Sequence, residues 1–465
     1  MGNKDGFFTG VSRRRLLGGG LAVTGGVVLA ACGETKEVIK EVPVEVIKEV
    51  EVAGETVVKE VEVIKEVEVA GETVVKKEVI EVEVPVEVEV PVEVESVLVV
   101  NDPWGIVTVA PGDTIKIGLV TVLTGDLANL GIDIRNGAEL AFDEFPDVKG
   151  FAVEMLDEDG QCSGEGGTAV ANKFAANPEV VAVVGHMCSG SSEPASVIYE
   201  RAHIPMVSPS STAVSFTARG LDVTNRVCWN DRIQGTAAAD FALNTLGATK
   251  AAMIHDQSSY GEGLVQVFQG AFEELGGEVT AFEGVTVGDK DFRAVLTTIA
   301  DGAPDLLYFG GFQGEGALLV AQKNEVGLED AIFFGADGIN SQVYIDSAAG
   351  DAEGSYSSFA DFGETDADLL AGFLERYEEK FGEPQGPFNA HAYDAAAIII
   401  AAIDSASELA ADGSLIIRRN AVNEAIRANH GYQGVSGVID FNAIGDGGQG
   451  TVGFQIVADN AWSAV

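Results

Sequence analysis

The stretch Thr114-Ile-Lys-Ile-Gly-Leu-Val-Thr121 is a short apolar run, and apolar residues at helical spacing follow it from Gly131 to Phe145. This pattern predicts a β-strand followed by a helix. Further apolar runs alternate with helical stretches in two series, beginning near residues 151, 180 and 204 and near residues 250, 279, 306 and 331. Alternating strands and helices form parallel sheets with helices on both faces. The sequence therefore predicts an α/β protein with two doubly wound lobes.

The N-terminus has the composition of an export signal. Residues 12–17 read Ser-Arg-Arg-Arg-Leu-Leu and precede a glycine-containing apolar stretch that ends in Leu-Ala-Ala-Cys32. The arginines resemble a twin-arginine signal, and the end resembles a bacterial lipobox, which implies that Cys32 is lipidated. The alternative is an uncleaved anchor, but residues 16–31 are shorter than the roughly 20 apolar residues of a membrane span. We predict a signal peptide over residues 1–31 and a protein that is extracytoplasmic and lipid-anchored to the cell membrane, either periplasmic or on the cell surface.

Residues 34–98 form a repetitive segment of glutamate, valine, lysine and isoleucine. A block that begins at Val46 recurs at Val63, a period of 17 residues. Alternation with period two favours an extended chain, whereas the prolines at 43, 85 and 91 disfavour a regular central strand. One interpretation is a stalk that self-assembles through its valine faces. We favour the other, a charged and extended spacer over residues 32–112 that joins the anchor to the folded body.

Composition limits the functions of this chain. Its 465 residues carry a formal net charge of -45, which disfavours nucleic acid and an anionic membrane face as partners. The five histidines are scattered without metal-ligand spacing. The sequence has no Walker A loop, no Gly-x-Ser-x-Gly elbow and no zinc motif. We predict no metal, no cofactor and no catalysis.

Four motifs in the folded body carry a resemblance to a known family. Residues 184–196, 205–212, 254–264 and 434–437, in this order, resemble the leucine/isoleucine/valine-binding proteins of bacterial ABC importers. The similarity extends through essentially all of residues 113–465. It implies a type I periplasmic binding fold, in which two lobes joined by a three-strand hinge close on a ligand.

The resemblance also implies lobe boundaries. The chain is expected to cross between lobes near residues 229–233, 359–362 and 436–442. One lobe would then comprise about 113–230 and 361–437, and the other about 234–358 and 438–465.

The cysteines fit this resemblance. Cys162 and Cys188 lie where the family has a disulfide, and an oxidising compartment would permit it. The alternative is a pair of buried thiols. Cys228 has no evident partner and is interpreted as a buried strand residue.

An amino acid presents a carboxylate beside an ammonium group, and the predicted cleft must bind both. Ser189, Ser210 and Thr212 lie at strand-to-helix turns and match the family's carboxylate and amino contacts, with Ser211 in the same turn. A helix N-terminus and hydroxyl groups suit an anion, and the carbonyl of Ser210 could accept from the ammonium. The alternative for Ser189 and Thr212 is ordinary helix capping.

The second lobe and the pocket wall supply the remaining predicted ligand-binding residues. Asp337 aligns with the acidic residue that pairs with the ligand ammonium, although it could instead be a turn aspartate. Tyr260 is expected to cap the cleft. Phe312 and Phe388 match aromatic wall positions, which could equally be core residues. Leu130 replaces a family tyrosine, and Ser210 replaces an alanine, so the identity of the ligand stays open.

We therefore predict the substrate-binding component of an ABC importer. Its ligand would be an amino acid, branched or otherwise apolar, and its partners a permease and an ATPase. One alternative is a ligand sensor of the same fold that binds an amide or another small acid and signals through a receptor. The other is a surface-anchored enzyme, for which no catalytic set is evident.

Overall fold

The computed structural model describes residues 102–361, 366–448 and 451–465, together with the backbone of four strands between residues 39 and 84. The predicted signal peptide and Cys32 lie outside the described residues. The chain divides into two compact units, residues 1–98 and 99–465.

The N-terminal unit contains an antiparallel sheet of β1 (Ile39–Val42), β2 (Ile47–Val50), β3 (Val57–Val69) and β4 (Glu72–Val84). Strand β3 pairs with β4 along its whole length, and β1 and β2 lie along its other edge. The backbone of these strands is extended, and the choice between a charged spacer and a self-assembling stalk stays a prediction. None of the four strands contains a proline, and alternation of period two over 13 residues provides the regular edge that pairing needs.

The second unit begins with β5 (Ile106–Val109) and then builds a six-stranded sheet. Its strands are β6 (Ile115–Thr121), β7 (Asp147–Val148), β8 (Phe151–Asp159), β9 (Val180–Gly185), β10 (Met206–Ser208) and β11 (Thr224–Arg226). Its helices are α1 (Ala128–Glu144), α2 (Gly164–Ala175), α3 (Ser189–Ala202) and α4 (Val214–Ala218). The order is β11-β10-β9-β6-β8-β7, and only β7 is antiparallel to its neighbour. All six residues of β9 are buried, as expected for a strand inside a parallel sheet that is covered on both faces.

The chain then enters the second lobe and builds a seven-stranded sheet. Five of its strands are β12 (Lys250–His255), β13 (Glu278–Gly284), β14 (Leu306–Gly310), β15 (Ile332–Gly335) and β16 (Tyr356–Asp361). The helices are α5 (Asp231–Asp240), α6 (Ser259–Glu274), α7 (Arg293–Ala300), α8 (Gln313–Lys323) and α9 (Gln342–Ser347). A π-helical turn continues α5 from Phe241 to Thr245, and 3-10 turns cover Asn324–Val326 and Asp337–Ile339.

The chain next returns to the first lobe. This segment contains α10 (Ala367–Phe381), α11 (Asn389–Ala406), β17 (Ser407–Leu409), β18 (Leu415–Arg418), α12 (Arg419–Arg427), β19 (Tyr432–Gly434) and β20 (Gly437–Ile439). Helix α11 packs along α1. Strand β18 pairs with β5, so the folded unit includes residues that the sequence analysis placed in the spacer.

The third crossing between lobes lies later than predicted. Residues 440–448 stay on the first lobe, where the backbone of Arg226 exchanges hydrogen bonds with Gly445 and Gly447, both of 2.9 Å. The guanidinium of Arg226 is fully buried and pairs with Asp446 at 2.7 Å. A buried charge needs a partner, so this ion pair holds the tail beyond the predicted residues 436–442. The chain then adds β21 (Thr451–Ala458) and β22 (Ala461–Ala464) to the second sheet, completing the order β13-β12-β14-β15-β16-β21-β22.

These two sheets, each covered by helices, confirm the predicted α/β fold with two lobes. Among the described residues, no helix is long and apolar enough to cross a membrane.

Candidate ligand-binding cleft

A cavity with an empty volume of about 440 Å³ lies between the two lobes. This volume includes space that is open to the surrounding solvent. Its lining comprises Leu130, Asp133, Ile134, Met187, Cys188, Ser189, Ser210, Gly386, Pro387 and Phe388 from the first lobe and Tyr260, Phe312, Asp337 and Gly338 from the second. Seven of the nine predicted ligand-binding residues therefore line one cavity. The other two, Ser211 and Thr212, follow Ser210 in the chain but do not line the cavity.

The N-terminus of α3 forms one polar end of the cavity. Ser189 is the first residue of this helix, and its hydroxyl accepts a hydrogen bond from the backbone N–H of Ala213 at 3.2 Å. Ser210 donates its hydroxyl to the carbonyl of Met187 at 2.9 Å. The positive end of a 14-residue helix and the adjacent hydroxyl groups favour an anion at this end.

Ser211 and Thr212 differ in what their side chains do. The hydroxyl of Ser211 is buried and lies 2.6 Å from the hydroxyl of Ser192 and 3.0 Å from the carbonyl oxygen of His186. Its side chain therefore holds the turn together rather than facing a ligand. The hydroxyl of Thr212 is buried, and its interaction with the carboxylate of Asp231 opposes the rise in the pKa of that group.

Asp337 forms the acidic end of the cavity. Its Oδ1 accepts hydrogen bonds from Tyr260 Oη at 2.8 Å and from Gln234 Nε2 at 2.7 Å. Burial raises the pKa of Asp337, and these two hydrogen bonds oppose that rise. Tyr260 also accepts from the backbone N–H of Gly338 at 3.2 Å. The same phenol thus fixes both the carboxylate and the turn that carries it.

Aromatic and aliphatic side chains form the wall between the polar ends. Leu130 and Ile134 lie one turn apart on α1. Phe388 stacks on the buried Trp229 with ring centroids 5.5 Å apart, and Phe312 contacts the ring of Tyr260 at 5.3 Å. This wall suits an apolar ligand side chain.

The predicted disulfide is confirmed. Cys162 and Cys188 are bonded, with their Cα atoms 5.2 Å apart, and Cys188 lines the cavity. The alternative of two buried thiols is therefore wrong. Cys228 is a buried free thiol, as predicted, but the prediction that it lies in a strand is wrong, because β11 ends at Arg226.

Two carboxylates near the site were missed in the sequence analysis. Asp133 lines the cavity and accepts hydrogen bonds from Gln385 N, Tyr377 Oη and Asn389 Nδ2 at 2.7, 2.8 and 3.0 Å. Burial raises its pKa to about 6. Asp133 follows Leu130 by three residues on α1, so both lie on one face of the helix. This spacing is the signal in the sequence that could have identified Asp133.

The other missed carboxylate is Asp231, the first residue of α5, which is fully buried. Burial and the nearby charge of Asp337 raise its pKa to about 8. An aspartate in the first turn of a helix reads from sequence as an ordinary terminal charge. For this reason nothing marked Asp231 as part of the site.

Gln313, at the start of α8, joins the two lobes beside the cavity. Its Nε2 donates to the carbonyl of Asp126 and to Asn129 Oδ1, both at 2.8 Å, across the cleft. Its Oε1 accepts from Ser341 within its own lobe at 2.5 Å. The structure is therefore closed, with a hydrogen-bonded contact between the lobes.

The described part of the chain contains no group of three or more histidine, cysteine, aspartate or glutamate side chains that could hold a metal ion. Two α/β lobes closed over a cavity with an anion-binding end, an acidic end and an apolar wall define a two-lobed binding protein for small molecules. A family model described as "Periplasmic binding protein" matches residues 114–458. The chain belongs to this family.

Comparisons with individual proteins support the same assignment. The "Leucine-, isoleucine-, valine-, threonine-, and alanine-binding protein" of Pseudomonas aeruginosa is 35% identical over 338 residues, which cover 72% of this chain and 87% of that protein. A leucine-binding protein from Thermotoga maritima has a solved structure that matches with a TM-score of 0.70 and 28% identity, covering 76% of this chain and 98% of that one. A branched-chain amino acid transporter substrate-binding protein from Streptococcus pneumoniae, solved in complex with isoleucine, matches with a TM-score of 0.67 and 27% identity over 76% and 98% of the two chains.

Proposed function

We propose that this protein is the extracytoplasmic substrate-binding component of an ABC importer and that it captures an amino acid with a branched or otherwise apolar side chain. One observation carries the proposal. One cavity between the lobes has a helix N-terminus with hydroxyl groups at one end, a buried carboxylate at another and an apolar wall between them. These features complement the carboxylate, the ammonium group and the side chain of such an amino acid.

Each part of the ligand has a proposed receptor. The ligand carboxylate binds at the N-terminus of α3, where the backbone N–H groups and the hydroxyl of Ser189 are donors. The ammonium group binds Asp337, which two donors hold in place. The side chain packs against Leu130 and Phe388. The aliphatic Leu130 removes a polar group from this wall and so favours an apolar side chain.

The closed state gives the bound ligand to the transporter. Ligand contacts on both lobes stabilise the closed form over the open form. A permease and its ATPase would recognise that form and accept the ligand. The names of the relatives, which include amino acid binding proteins and a transporter substrate-binding protein, support this role and disfavour an enzyme.

The location and anchor form part of the same proposal. The family of periplasmic binding proteins supports a location outside the cytoplasm. We propose that Cys32 carries the lipid that holds the protein at the membrane. Mass spectrometry of the protein from its native membrane tests this, since an acylated Cys32 at the N-terminus is expected and an intact residue 1–31 segment contradicts it.

A thermal-shift screen of the full chain against the amino acids, small amides and small acids tests the ligand class. A ligand at 100 times its dissociation constant stabilises the folded state by about 2.7 kcal/mol. Leucine, isoleucine or valine should raise the melting temperature, and D-leucine is the matched control because its ammonium and side chain cannot both reach their receptors. Stabilisation by an amide or acid alone, with no amino acid effective, would contradict the proposed ligand.

A further inference from the structure

The apolar wall of the cavity is built largely from two segments of the first lobe. Helix α1 contributes Leu130 and Ile134. The residues immediately before α11 contribute Gly386, Pro387 and Phe388. Because the ligand side chain is proposed to pack against both segments, the distance between them sets the space that this side chain can occupy.

The two segments approach each other closely at Gly386. A Cβ atom at this position would lie 2.8 Å from Leu130 Cδ2, whereas carbon atoms in ordinary contact are about 3.5–4.0 Å apart. Gly386 is not among the glycines with a positive φ, so its backbone conformation does not demand glycine. The missing side chain is therefore explained by the nearness of Leu130.

Asp133 holds the second segment against α1. Its Oδ1 accepts a hydrogen bond from Gln385 N at 2.7 Å, and its Oδ2 accepts one from Asn389 Nδ2 at 3.0 Å. These two donors flank residues 386–388 in the chain. The hydroxyl of Tyr377 donates to the same Oδ1 at 2.8 Å, which ties α10 to the other two segments. Hydrogen bonds to a buried carboxylate are strong, so Asp133 fixes the position of Gly386 relative to α1.

Close packing of α1 on backbone atoms limits how far the wall can widen. A Cβ atom at Gly137 would collide with the carbonyl oxygen of Asn389, and one at Gly131 would collide with the carbonyl oxygen of Val122. The helix thus lies directly on the backbone at two places. Moving it away from either place would open a void in a close-packed interior.

We propose that Gly386 determines the size of ligand side chain that the cleft accepts and that Asp133 is the positioning residue that holds it there. This inference rests on the proposed function and deepens it. The space that glycine leaves beside Leu130 accommodates a branched side chain. The hydrogen bonds of Asp133 keep the wall from separating to admit a larger, aromatic one.

Titration calorimetry of the full chain with leucine and alanine tests the role of Gly386. In Gly386→Ala the new methyl group displaces the end of Leu130, which lines the cavity and borders the space for the ligand side chain. We expect leucine affinity to fall about tenfold or more, the effect of one methylene group in an apolar pocket. Alanine affinity should hold within about twofold, because its side chain does not reach this wall.

Gly372→Ala is the matched control for this variant. Gly372 lies on α10 in the same lobe, and a Cβ atom there would come no nearer than 3.6 Å to Arg376 Nη1. It does not line the cavity. Both dissociation constants should therefore keep their wild-type values.

Asp133→Asn tests the positioning role with leucine and phenylalanine. The amide turns a donor toward Asn389 Nδ2, and a flip of Asn389 would break its hydrogen bond to the carbonyl of Gly386 at 3.3 Å. Either change loosens the segment. The preference for leucine over phenylalanine should fall about fivefold, which corresponds to the loss of one hydrogen bond.

Asp394→Asn separates a positioning role from a general loss of stability. Asp394 is also a buried carboxylate with three donors, Val435 N, Ser436 N and Ser436 Oγ, but it does not line the cavity. This variant should lose thermal stability and keep the wild-type preference for leucine over phenylalanine.

The outcomes distinguish this inference from the proposed function. With leucine bound by the wild type, an unchanged preference for leucine over alanine in Gly386→Ala overturns the size-determining role. An equal loss of leucine and phenylalanine affinity in Asp133→Asn overturns the positioning role. Failure of the wild type to bind any amino acid overturns the proposed function as well. Should Gly386→Ala not fold, its combination with Leu130→Val provides the second test, because removal of Cδ2 relieves the contact and must leave leucine affinity near that of the wild type.

Discussion

Gln313 makes hydrogen bonds across the cleft, and its replacement by alanine should weaken closure of the lobes by an amount that can be worked out. The side-chain Nε2 of Gln313 makes two hydrogen bonds across the cleft, to the backbone of Asp126 and to Asn129, both of 2.8 Å. An open form cannot make them, so they stabilise only the closed form. A neutral hydrogen bond contributes roughly 0.5–1.5 kcal/mol. The two together therefore favour closure by about 1–3 kcal/mol.

This free energy appears directly in ligand affinity. Because the ligand binds between the lobes, a penalty of about 1–3 kcal/mol on closure weakens binding by about 5- to 150-fold. Gln313 does not line the cavity, so the loss arises without removal of a ligand contact. Titration calorimetry of Gln313→Ala with leucine measures the change, and stopped-flow fluorescence should assign most of it to a faster dissociation rate.

Gln322→Ala is the matched control for this prediction. Gln322 is the same residue type on the same helix, and it is buried. Its side chain bonds only within its own lobe, to Phe292 N at 2.6 Å and to the carbonyl of Lys290 at 2.9 Å. The Gln322→Ala variant should lose thermal stability without a comparable loss of leucine affinity. A leucine dissociation constant for Gln313→Ala within twofold of the wild type would refute the role of these contacts in closure.

Three further predictions concern the cavity, the disulfide and pH. Asp337→Asn should weaken leucine binding at least tenfold, because a charged hydrogen bond to the ammonium contributes about 1.5–3 kcal/mol. Calorimetry measures this loss, and a wild-type affinity in the variant would contradict the prediction. Replacing Cys162 and Cys188 by serine should lower the free energy of unfolding by about 3.5 kcal/mol, because the disulfide closes a loop of 26 residues. Denaturant titration measures this change, and an unchanged unfolding midpoint would contradict the prediction. The pKa of Asp231 is about 8 in the folded protein against an ordinary value of 3.8, so the folded protein binds a proton that the unfolded chain lacks between these pH values. The contribution of this protonation to stability is present at low pH and lost as pH rises through 8. The melting temperature should therefore be lower at pH 8.5 than at pH 5.5. If Asp231→Asn showed the same dependence of melting temperature on pH, this assignment would be contradicted.

Sequence patterns predicted the main architecture because its strands are strongly apolar and because apolar residues recur at regular spacing in its helices. The buried run of β9 and the amphipathic spacing of α1 fix the first sheet locally. Two doubly wound lobes follow from the number and order of such segments. The resemblance added the cavity residues, of which Ser189, Tyr260 and Asp337 come together as one site only through the fold.

The parts that sequence did not predict depend on long-range pairing. The late third crossing follows from the ion pair between Arg226 and Asp446, which are 220 residues apart. No local pattern links those two positions. Asp231 was missed for a related reason, since its raised pKa comes from burial and from the charge of Asp337, which is distant in the chain.

The N-terminal segment shows the opposite case, in which the local pattern permits more than one structure. Alternating valine and glutamate suits an extended chain, and the same alternation also suits a paired strand. The structure pairs β3 with β4 residue by residue from Val57 and Val84 to Val69 and Glu72. The prolines at 43, 85 and 91 lie outside the four strands, so they do not decide between the two.

The measurement that tests the central claim most directly is a crystal structure of the full chain with leucine bound. Leucine should occupy the cavity between the lobes, with its carboxylate at the N-terminus of α3 beside Ser189, its ammonium within hydrogen-bond distance of Asp337, and its side chain against Leu130 and Phe388. Leucine bound in the reverse orientation, or outside the cavity, would contradict the proposed recognition of an amino acid by this cleft.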